Sequence, residues 1–244
     1  TYMAGFNITV AGDSALNLEF ARIITPETST MIRVAAQNLT DDPVEGIIEL
    51  VPTFCSLMVY YDPLVVTFDE LSLRLRSKLR DLGPADTHAK KVVEIPVCYG
   101  GEFGPDIQTV ADHAKLTVEE VIELHSSRDY LIDMLGFLPG FAYLGGLDER
   151  LHTPRLATPR TLIEAGSVGI GGAQTGIYPL PSPGGWQIIG RTPLRPYDPD
   201  REDPILYAAG EYLRFVPISI DEYSAIETQL ASNAYEYQIV IEEL

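Results

Sequence analysis

The stretch GFLPGFAYLGGL, residues 136–147, combines a composition and a spacing that a regular helix cannot hold. Glycine or proline interrupts it every few residues, yet two phenylalanines, one tyrosine and three leucines stand between these interruptions. Proline lacks the backbone N–H that a helix interior needs, and glycine is unfavourable there. The stretch is therefore either a turn folded into a core or a segment that presents aromatic side chains to another molecule.

The surrounding sequence, residues 130–217, continues the same pattern of short β-prone runs separated by glycine and proline. Such punctuation favours a closed barrel or a sandwich. A strand is predicted before this region at VVEIPVCY, residues 92–99, with two short helices between about 105 and 126. The second helix begins with Thr117 and Glu120 at the spacing of a capping box. A helix at about 220–232 and a final strand complete the predicted domain.

The first ninety residues follow a different order, in which strand and helix signals alternate. Two strands flank a turn at Gly12, a helix is predicted from Pro26 to Leu39, and two further strands precede a second helix. Leucines recur in that second helix at spacings of four, four and three, which is typical of an amphipathic helix. They are Leu71, Leu75, Leu79 and Leu82. The resulting ββαββα order predicts an α+β domain with an antiparallel sheet.

The polar segment DLGPADTHAKK, residues 81–91, separates the two patterns and is interpreted as a linker. We therefore expect an α+β N-terminal domain over residues 1–91 and a mainly β barrel domain, with a C-terminal helix and strand, over residues 92–244. A chain of 244 residues is long enough for one or two domains.

Charge and composition exclude several classes of partner. The formal net charge of −18 disfavours binding to nucleic acid or to anionic lipid. No run of eighteen apolar residues predicts a membrane span, and no signal peptide is visible, so we expect a cytoplasmic protein. Cys55 and Cys98 lie in strand-like surroundings and are predicted to be buried and reduced.

Two glycine-rich segments resemble catalytic motifs but lack essential parts of them. AGSVG, residues 165–169, approaches a nucleophile elbow at Ser167, but no helix can follow in this glycine-rich sequence. GGAQTGIY, residues 171–178, lacks the lysine and hydroxyl residue of a P-loop, so we expect no ATP site in this chain alone. The histidines and cysteines show no metal-ligand spacing, and no metal site is predicted.

Five residues are candidates for a site or for the core. His125 shares a predicted helical face with valines and points inward, either as a hydrogen-bonded core histidine or as a residue that lines a cavity. Arg155 and Arg160 follow prolines in an extended segment, where they either bind a carboxylate or form internal ion pairs. Trp186, the only tryptophan, is predicted to be a core residue, with Arg191 at a nearby turn.

Three long segments together resemble the allophanate hydrolase subunit 1 family. They are EIPVCYGGEFGPD, ELHSSRDYLIDMLGFLPGFAYLGGLDERLHTPRLATPR and EAGSVGIGGAQTGIYPLPSPGGWQIIGRTP. The resemblance extends more loosely to the N-terminal domain. It implies that the C-terminal domain is a cyclophilin-like β-barrel. It also implies that the aromatic segment borders the barrel cleft, with Phe137, Pro139, Phe141 and Tyr143 facing the cleft or a partner.

The resemblance further implies a non-autonomous subunit of an ATP-dependent 5-oxoprolinase, which opens 5-oxoproline to glutamate and is inactive alone. The expected partners are a subunit 2-type protein and a lactam-utilisation-type protein. The assembled complex would use ATP and Mg²⁺, with no cofactor bound by this chain alone. Within the matching motifs, His125, Gln174 and Tyr178 are the expected catalytic residues, and Arg155, Arg160 and Arg191 the expected substrate-binding residues.

Two other functions within the family remain open at this point. One is a binding protein that inhibits a sensor histidine kinase, whose barrel cleft would hold a proline-bearing helical segment. The other is a carboxyltransferase or allophanate-hydrolase type of subunit that acts on a urea-like amide. The motifs do not distinguish these functions from the oxoprolinase.

Overall fold

The computed structural model describes residues 6–22, 25–80 and 90–242. The chain divides into two compact units, residues 1–87 and 88–244. The predicted linker at 81–91 lies mainly outside the described residues. Its last two residues, Lys90 and Lys91, instead begin the first strand of the second unit. They pair there with Glu242 and Ile241, a partner strand too distant in sequence for a local pattern to indicate.

The N-terminal unit is a four-stranded antiparallel sheet with two helices, in the predicted ββαββα order. Its elements are β1 (Asn7–Val10), β2 (Ala15–Glu19), α1 (Pro26–Asp41), β3 (Ile47–Pro52), β4 (Ser56–Tyr61) and α2 (Phe68–Lys78). The strand order is β1-β2-β4-β3, so both hairpins join at the centre through β2 and β4. The predicted α+β sheet is confirmed for this unit.

Helix α2 shows how the leucine spacing produces the core of this unit. The helix begins after Thr67, whose side chain accepts a hydrogen bond from the backbone N–H of Glu70. Leu71, Leu75 and Leu79 are fully buried, as their spacing predicts. Burying each leucine side chain contributes roughly 1.5–3 kcal/mol. The predicted fourth member, Leu82, lies outside the described residues.

The C-terminal unit contains ten strands, three α-helices and one 3-10 turn among its described residues. They are β5 (Lys90–Tyr99), α3 (Ile107–Ala114), α4 (Val118–Ser126), β6 (Asp129–Leu135), β7 (Ala142–Gly145), the 3-10 turn (Glu149–Leu151), β8 (Arg160–Ile163), β9 (Ser167–Gly171), β10 (Gln174–Ile177), β11 (Ser182–Gly184), β12 (Gln187–Arg191), β13 (Tyr212–Pro217), α5 (Ile220–Ala231) and β14 (Ile239–Glu242). The predicted capping box at Thr117 and Glu120 is present at the start of α4.

Seven of these strands close into a barrel in the order β12-β9-β10-β7-β6-β13-β5, with β5 returning to β12. Closure pairs Gly190 with Tyr99 and Arg191 with Cys98. Strands β5 and β13 run parallel. Strand β14 pairs antiparallel with the beginning of β5, from Lys90 to Val93. A small separate sheet joins β8 and β11. The expected closed barrel is confirmed, and closure removes the exposed sheet edges that promote aggregation.

An ion-pair cluster holds β14 against the barrel. The Arg214 guanidinium donates to both carboxylate oxygens of Asp129, at 2.6 and 2.9 Å, and to Glu242 at 2.9 Å. Lys90 contacts the same two carboxylates. Burial raises the pKa of Asp129, but hydrogen bonds from Arg214 and Lys90 outweigh it and hold the pKa below its usual value. The last described strand is therefore attached by charge as well as by backbone pairing.

Both cysteines are free thiols, as predicted, but they are less buried than expected. Cys55 and Cys98 are each only partly buried, Cys55 just before β4 and Cys98 near the end of β5. Burial and the nearby Glu102 carboxylate raise the pKa of the Cys98 thiol. In the described part of the chain, every helix is too short or too polar to cross a bilayer.

Candidate functional site

Three aromatic side chains form a cluster at one part of the barrel wall. The rings of Phe141, Tyr178 and Trp186 meet edge to face, with centroids 5.7 to 6.0 Å apart. Ile163 and Ile188 pack against them, and the group is separate from the main barrel core. Edge-to-face aromatic pairs contribute about 0.5–1.5 kcal/mol each beyond the area they bury. Phe141 therefore belongs to a core, which is the first of the two interpretations of its segment.

The same segment also presents an aromatic side chain outward. Phe137 is 67% exposed and lies edge to face against Phe141, with centroids 5.6 Å apart. Its φ of 68° is in the left-handed region, which bulky side chains disfavour. Pro139 is also exposed, and Tyr143 is half-buried 5.1 Å from Phe141. Residues 136–147 thus satisfy both interpretations, with a buried base and an exposed tip.

Tyr178 is held as a neutral phenol within the cluster. Burial raises its pKa, although a hydrogen bond from the Trp186 backbone N–H and the charges of Arg155 and Arg160 act in the opposite direction. Gly184 leaves the space for this hydroxyl, since a Cβ there would lie 2.5 Å from the Tyr178 oxygen. A neutral phenol can donate a hydrogen bond to a carbonyl oxygen or an oxyanion.

The two arginines of HTPRLATPR have different surroundings. Arg160 forms a bidentate ion pair with Asp106, at 2.7 and 2.9 Å, and Asp106 also accepts the Ile188 backbone N–H at 2.6 Å. Arg160 therefore fits the internal ion-pair interpretation. Arg155 is exposed, and its guanidinium lies over the Trp186 ring at 5.9 Å. Within residues 90–242, no carboxylate lies in ion-pair distance of Arg155.

His125 lies in the interior of the barrel, with no exposed surface. Its Nε2 lies 2.7 Å from the Thr175 hydroxyl, and its Nδ1 lies 2.7 Å from the Tyr99 hydroxyl. Because Thr175 donates its single hydroxyl hydrogen to the Gly169 carbonyl, it accepts from Nε2–H, and Nδ1 accepts from Tyr99. The ring also stacks on Phe215 at 4.5 Å. His125 fits the core interpretation.

Burial keeps this imidazole uncharged at neutral pH. The pKa of His125 falls to about 3, because the buried site penalises the charged form. The Tyr130 hydroxyl donates to the His125 carbonyl at 2.8 Å, which completes the hydrogen bonding of this residue. The network joins α4 to β5, β6 and β10.

The remaining candidates lie elsewhere on the barrel. Gln174 is half-buried at the start of β10, where it pairs with Gly171. Arg191 lies at the end of β12, with its guanidinium 5.3 Å from the Phe103 ring and its Nε buried without a hydrogen-bond partner. The structure therefore brings Arg155, Tyr178 and the aromatic segment together, and it records no contact between this group and His125, Gln174 or Arg191.

Sequence reasoning missed Asp106, the carboxylate that binds Arg160. It lies within the glycine-rich segment before α3, and a lone acidic residue there gave no signal of its role. Trp186 was predicted as a core residue, which its 5% exposure confirms. Its contact with Arg155 was not predicted.

Comparison with known proteins adds a family and named relatives. Residues 6–207 match the family described as carboxyltransferase domain, subdomain C and D. The B subunit of 5-oxoprolinase from Bacillus subtilis (strain 168) is 41% identical over 234 residues, covering 92% of this chain and 98% of the relative. The protein of the same name from Escherichia coli O157:H7 is 45% identical over 207 residues, covering 84% and 93%.

A solved structure shares the fold at low sequence identity. The Kluyveromyces lactis urea carboxylase superimposes with a TM-score of 0.79 over 98% of this chain, at 19% identity. The match covers 24% of that enzyme's chain. This likeness concerns the fold alone.

Proposed function

The chain belongs to the family of carboxyltransferase domains, subdomain C and D, and on that premise we propose that it is the B subunit of a 5-oxoprolinase. The observation that carries the proposal is identity above 40% to two proteins of that name over nearly their whole lengths. A match that covers almost all of both chains favours a shared role over a shared domain alone. A protein named as one subunit implies a heteromeric complex, for which we propose a subunit 2-type and a lactam-utilisation-type partner.

The proposed reaction opens an unstrained lactam, which resists water because amide resonance makes its carbonyl carbon a poor electrophile. Transfer of the terminal phosphoryl group of ATP to the lactam oxygen releases ADP and activates that carbon. Water then adds to the carbon, and the ring C–N bond breaks with protonation of nitrogen, which leaves an acyl phosphate on the opened chain. A second water hydrolyses the acyl phosphate and releases phosphate and glutamate. The assembled complex would supply the ATP and Mg²⁺ sites in the cytoplasm, and this chain would be inactive alone.

We assign the residues of this chain to separate roles in that reaction. Tyr178 is proposed to donate a hydrogen bond to the lactam oxygen, supported by its neutral hydroxyl in the aromatic cluster. Gln174, at the start of β10 and outside the aromatic cluster, is proposed to bind a carbonyl or an oxyanion only in the assembled complex. His125 has both ring nitrogens bonded, so we assign it a positioning role through Thr175, the neighbour of Gln174.

Two finer structural features belong to the same proposal. We propose that the barrel is of the cyclophilin-like type and that the chain has two domains divided at about residue 91. The closed seven-stranded barrel supports the first, and the two compact units support the second.

The decisive experiment measures glutamate release from 5-oxoproline and ATP by the three-protein mixture, with and without this chain. We expect release only in the complete mixture, and no ATP hydrolysis by this chain alone. Tyr178→Phe should lower kcat about tenfold or more without weakening assembly, since one hydrogen bond to a developing oxyanion is lost. Equal release with and without this chain, or none despite verified assembly, would remove the enzyme function and favour the kinase-inhibitor alternative.

A further inference from the structure

The arginines of the barrel unit are almost all engaged by acceptors. Residues 90–242 contain eight arginines, and five of them contact a carboxylate within 4.0 Å. A sixth, Arg201, donates to backbone carbonyls and to Tyr237. Arg155 and Arg191 differ, because each guanidinium lies over an aromatic ring and has no hydrogen-bond acceptor among the described residues. Of these two, Arg155 is the exposed one.

The backbone around Arg155 is fixed on both sides. The carbonyl of Pro154 accepts a hydrogen bond from the Gln187 side chain at 3.0 Å. The N–H of Leu156 donates to the Gly185 carbonyl at 2.6 Å. These bonds attach the residues flanking Arg155 to the residues flanking Trp186. A cation held in this way loses little conformational entropy when it binds, which is the usual basis of a preorganised site.

The cation–π contact with Trp186 gives the guanidinium a defined position. The guanidinium carbon lies over the indole ring, 5.9 Å from its centre, and the indole also packs edge to face against Tyr178 and Phe141. A planar guanidinium on a ring keeps its N–H edges available, and two of these N–H groups match the two oxygens of a carboxylate. Arg160, five residues later, already donates two such N–H groups to the carboxylate of Asp106.

From this arrangement we infer that Arg155, supported by Trp186, is a carboxylate-binding site. The inference deepens the proposed function and rests on it for the identity of the ligand. The carboxylate comes either from 5-oxoproline, whose ring would lie beside Tyr178, or from an acidic side chain of a partner subunit. Both sources have the same chemistry, and the two arms of the test distinguish them.

The first arm needs neither partners nor turnover, because Trp186 is the only tryptophan of the chain. The isolated chain is titrated with 5-oxoproline and, separately, with 2-pyrrolidinone, the same lactam without the carboxylate. A substrate site predicts a saturable change in tryptophan emission with 5-oxoproline, none with 2-pyrrolidinone, and none with either probe in Arg155→Gln.

The second arm uses the assembled complex with Arg155→Gln, Arg155→Lys and the control Arg195→Gln. The control removes one exposed arginine charge, 74% exposed at the side chain, from the same unit. If the substrate is the source, Arg155→Gln raises KM for 5-oxoproline tenfold or more, with kcat within about twofold. Arg155→Lys then gives an intermediate KM, because the charge remains while the planar fork is lost. If a partner is the source, Arg155→Gln weakens assembly tenfold or more, while KM in the saturated complex is unchanged.

The outcomes separate failure of the site from failure of the function. A wild-type complex that assembles but releases no glutamate contradicts the proposed function, while the emission and assembly measurements still decide the site. The carboxylate site is overturned if 5-oxoproline and 2-pyrrolidinone give the same emission response and Arg155→Gln changes neither KM nor assembly. Equal effects of Arg155→Gln and Arg195→Gln would also overturn it, since they would reflect net charge alone.

Discussion

At the scale of single residues, Phe137 has a left-handed backbone conformation, which a bulky aromatic residue rarely adopts. Three non-glycine residues in the described ranges have positive φ: Lys115, Phe137 and Asn233. Lys115 caps the end of α3, and asparagine tolerates this region well. Phe137 has neither reason. Such strain costs on the order of 1–3 kcal/mol and is frequently found at functional sites. The exposed aromatic tip is therefore maintained against a local cost.

Replacing Phe137 by glycine and by alanine separates the strain from the ring contact. Both variants lose the contact with Phe141, but only Phe137→Gly relaxes the left-handed backbone. We expect Phe137→Gly to be more stable than Phe137→Ala by about 1 kcal/mol, as measured by urea unfolding. Leu138→Ala in the same loop serves as a control for general loosening. Equal stability of the glycine and alanine variants would show that the backbone at 137 is unstrained.

The sequence could predict which residue types stand near the site, but not which of them are already engaged. Arg155 and Arg160 occupy equivalent positions after prolines, and a local pattern treats them alike. What distinguishes them is Asp106, which lies far away in sequence and reaches Arg160 only through the fold. The inward direction of His125 followed from helical spacing, whereas its partners Tyr99 and Thr175 come from distant strands.

At the scale of secondary structure elements, the His125 network fixes α4 to the barrel and makes the stability of that contact depend on pH. The folded-state pKa of about 3 lies below the value of about 6.5 for an unfolded chain. Between these values the unfolded chain binds a proton that the folded chain does not. The stabilising contribution is therefore complete above about pH 6.5 and declines as the pH falls toward 3.

The expected loss from this one residue is about 2 kcal/mol between pH 7 and pH 5. The measurement is the free energy of unfolding of wild type and of His125→Gln at pH 7 and at pH 5. The free energy of the variant should fall less between these two pH values than that of the wild type. Contributions from carboxylates are common to both proteins and cancel in the difference. If the variant does not fold, NMR titration of the wild type replaces it. The His125 ring should then titrate far below pH 6.5, and titration near pH 6.5 would contradict the network.

Element boundaries were predictable where the signal was local. The capping box at Thr117 placed the start of α4 correctly, and the leucine spacing located α2, although α2 ends at Lys78, before the predicted Leu79. The start of β5 was not predictable, because Lys90 and Lys91 have the composition of a linker. Their strand conformation depends on β14, and on the carboxylates of Asp129 and Glu242 that neutralise Lys90.

At the scale of the whole molecule, each of the two units has a hydrophobic core of its own. The N-terminal core includes Leu16, Leu57 and Leu71, and the barrel core includes Ile95 and Phe215. Glycine and proline punctuation predicted a closed barrel or a sandwich, because short strands need frequent turns. It could not predict which strands close the barrel, since pairing of β5 with β12 and β13 depends on side chains brought together only in the fold.

Limited proteolysis tests the division between the units. Two separate cores joined by a polar segment predict cleavage between residues 81 and 91 by a protease of broad specificity. The products should be two fragments that resist further digestion, identified by mass spectrometry. Strand β5 should protect the residues that follow Lys90. Early cleavage within residues 92–217, with resistance at 81–91, would place the boundary elsewhere.

The pairing of β5 has a consequence for the order in which the chain folds during synthesis. Its partners β12, β13 and β14 all follow β5 at a large distance along the chain, so much of the unit emerges from the ribosome before β5 has any neighbour. Pairings between segments so distant in sequence fold slowly, because a long loop must close first. The hairpins of the N-terminal unit are local and can form earlier. A nascent chain that stalls before β12 would therefore carry a folded first unit and an open, aggregation-prone barrel, so chaperones should matter most while β12, β13 and β14 are being made.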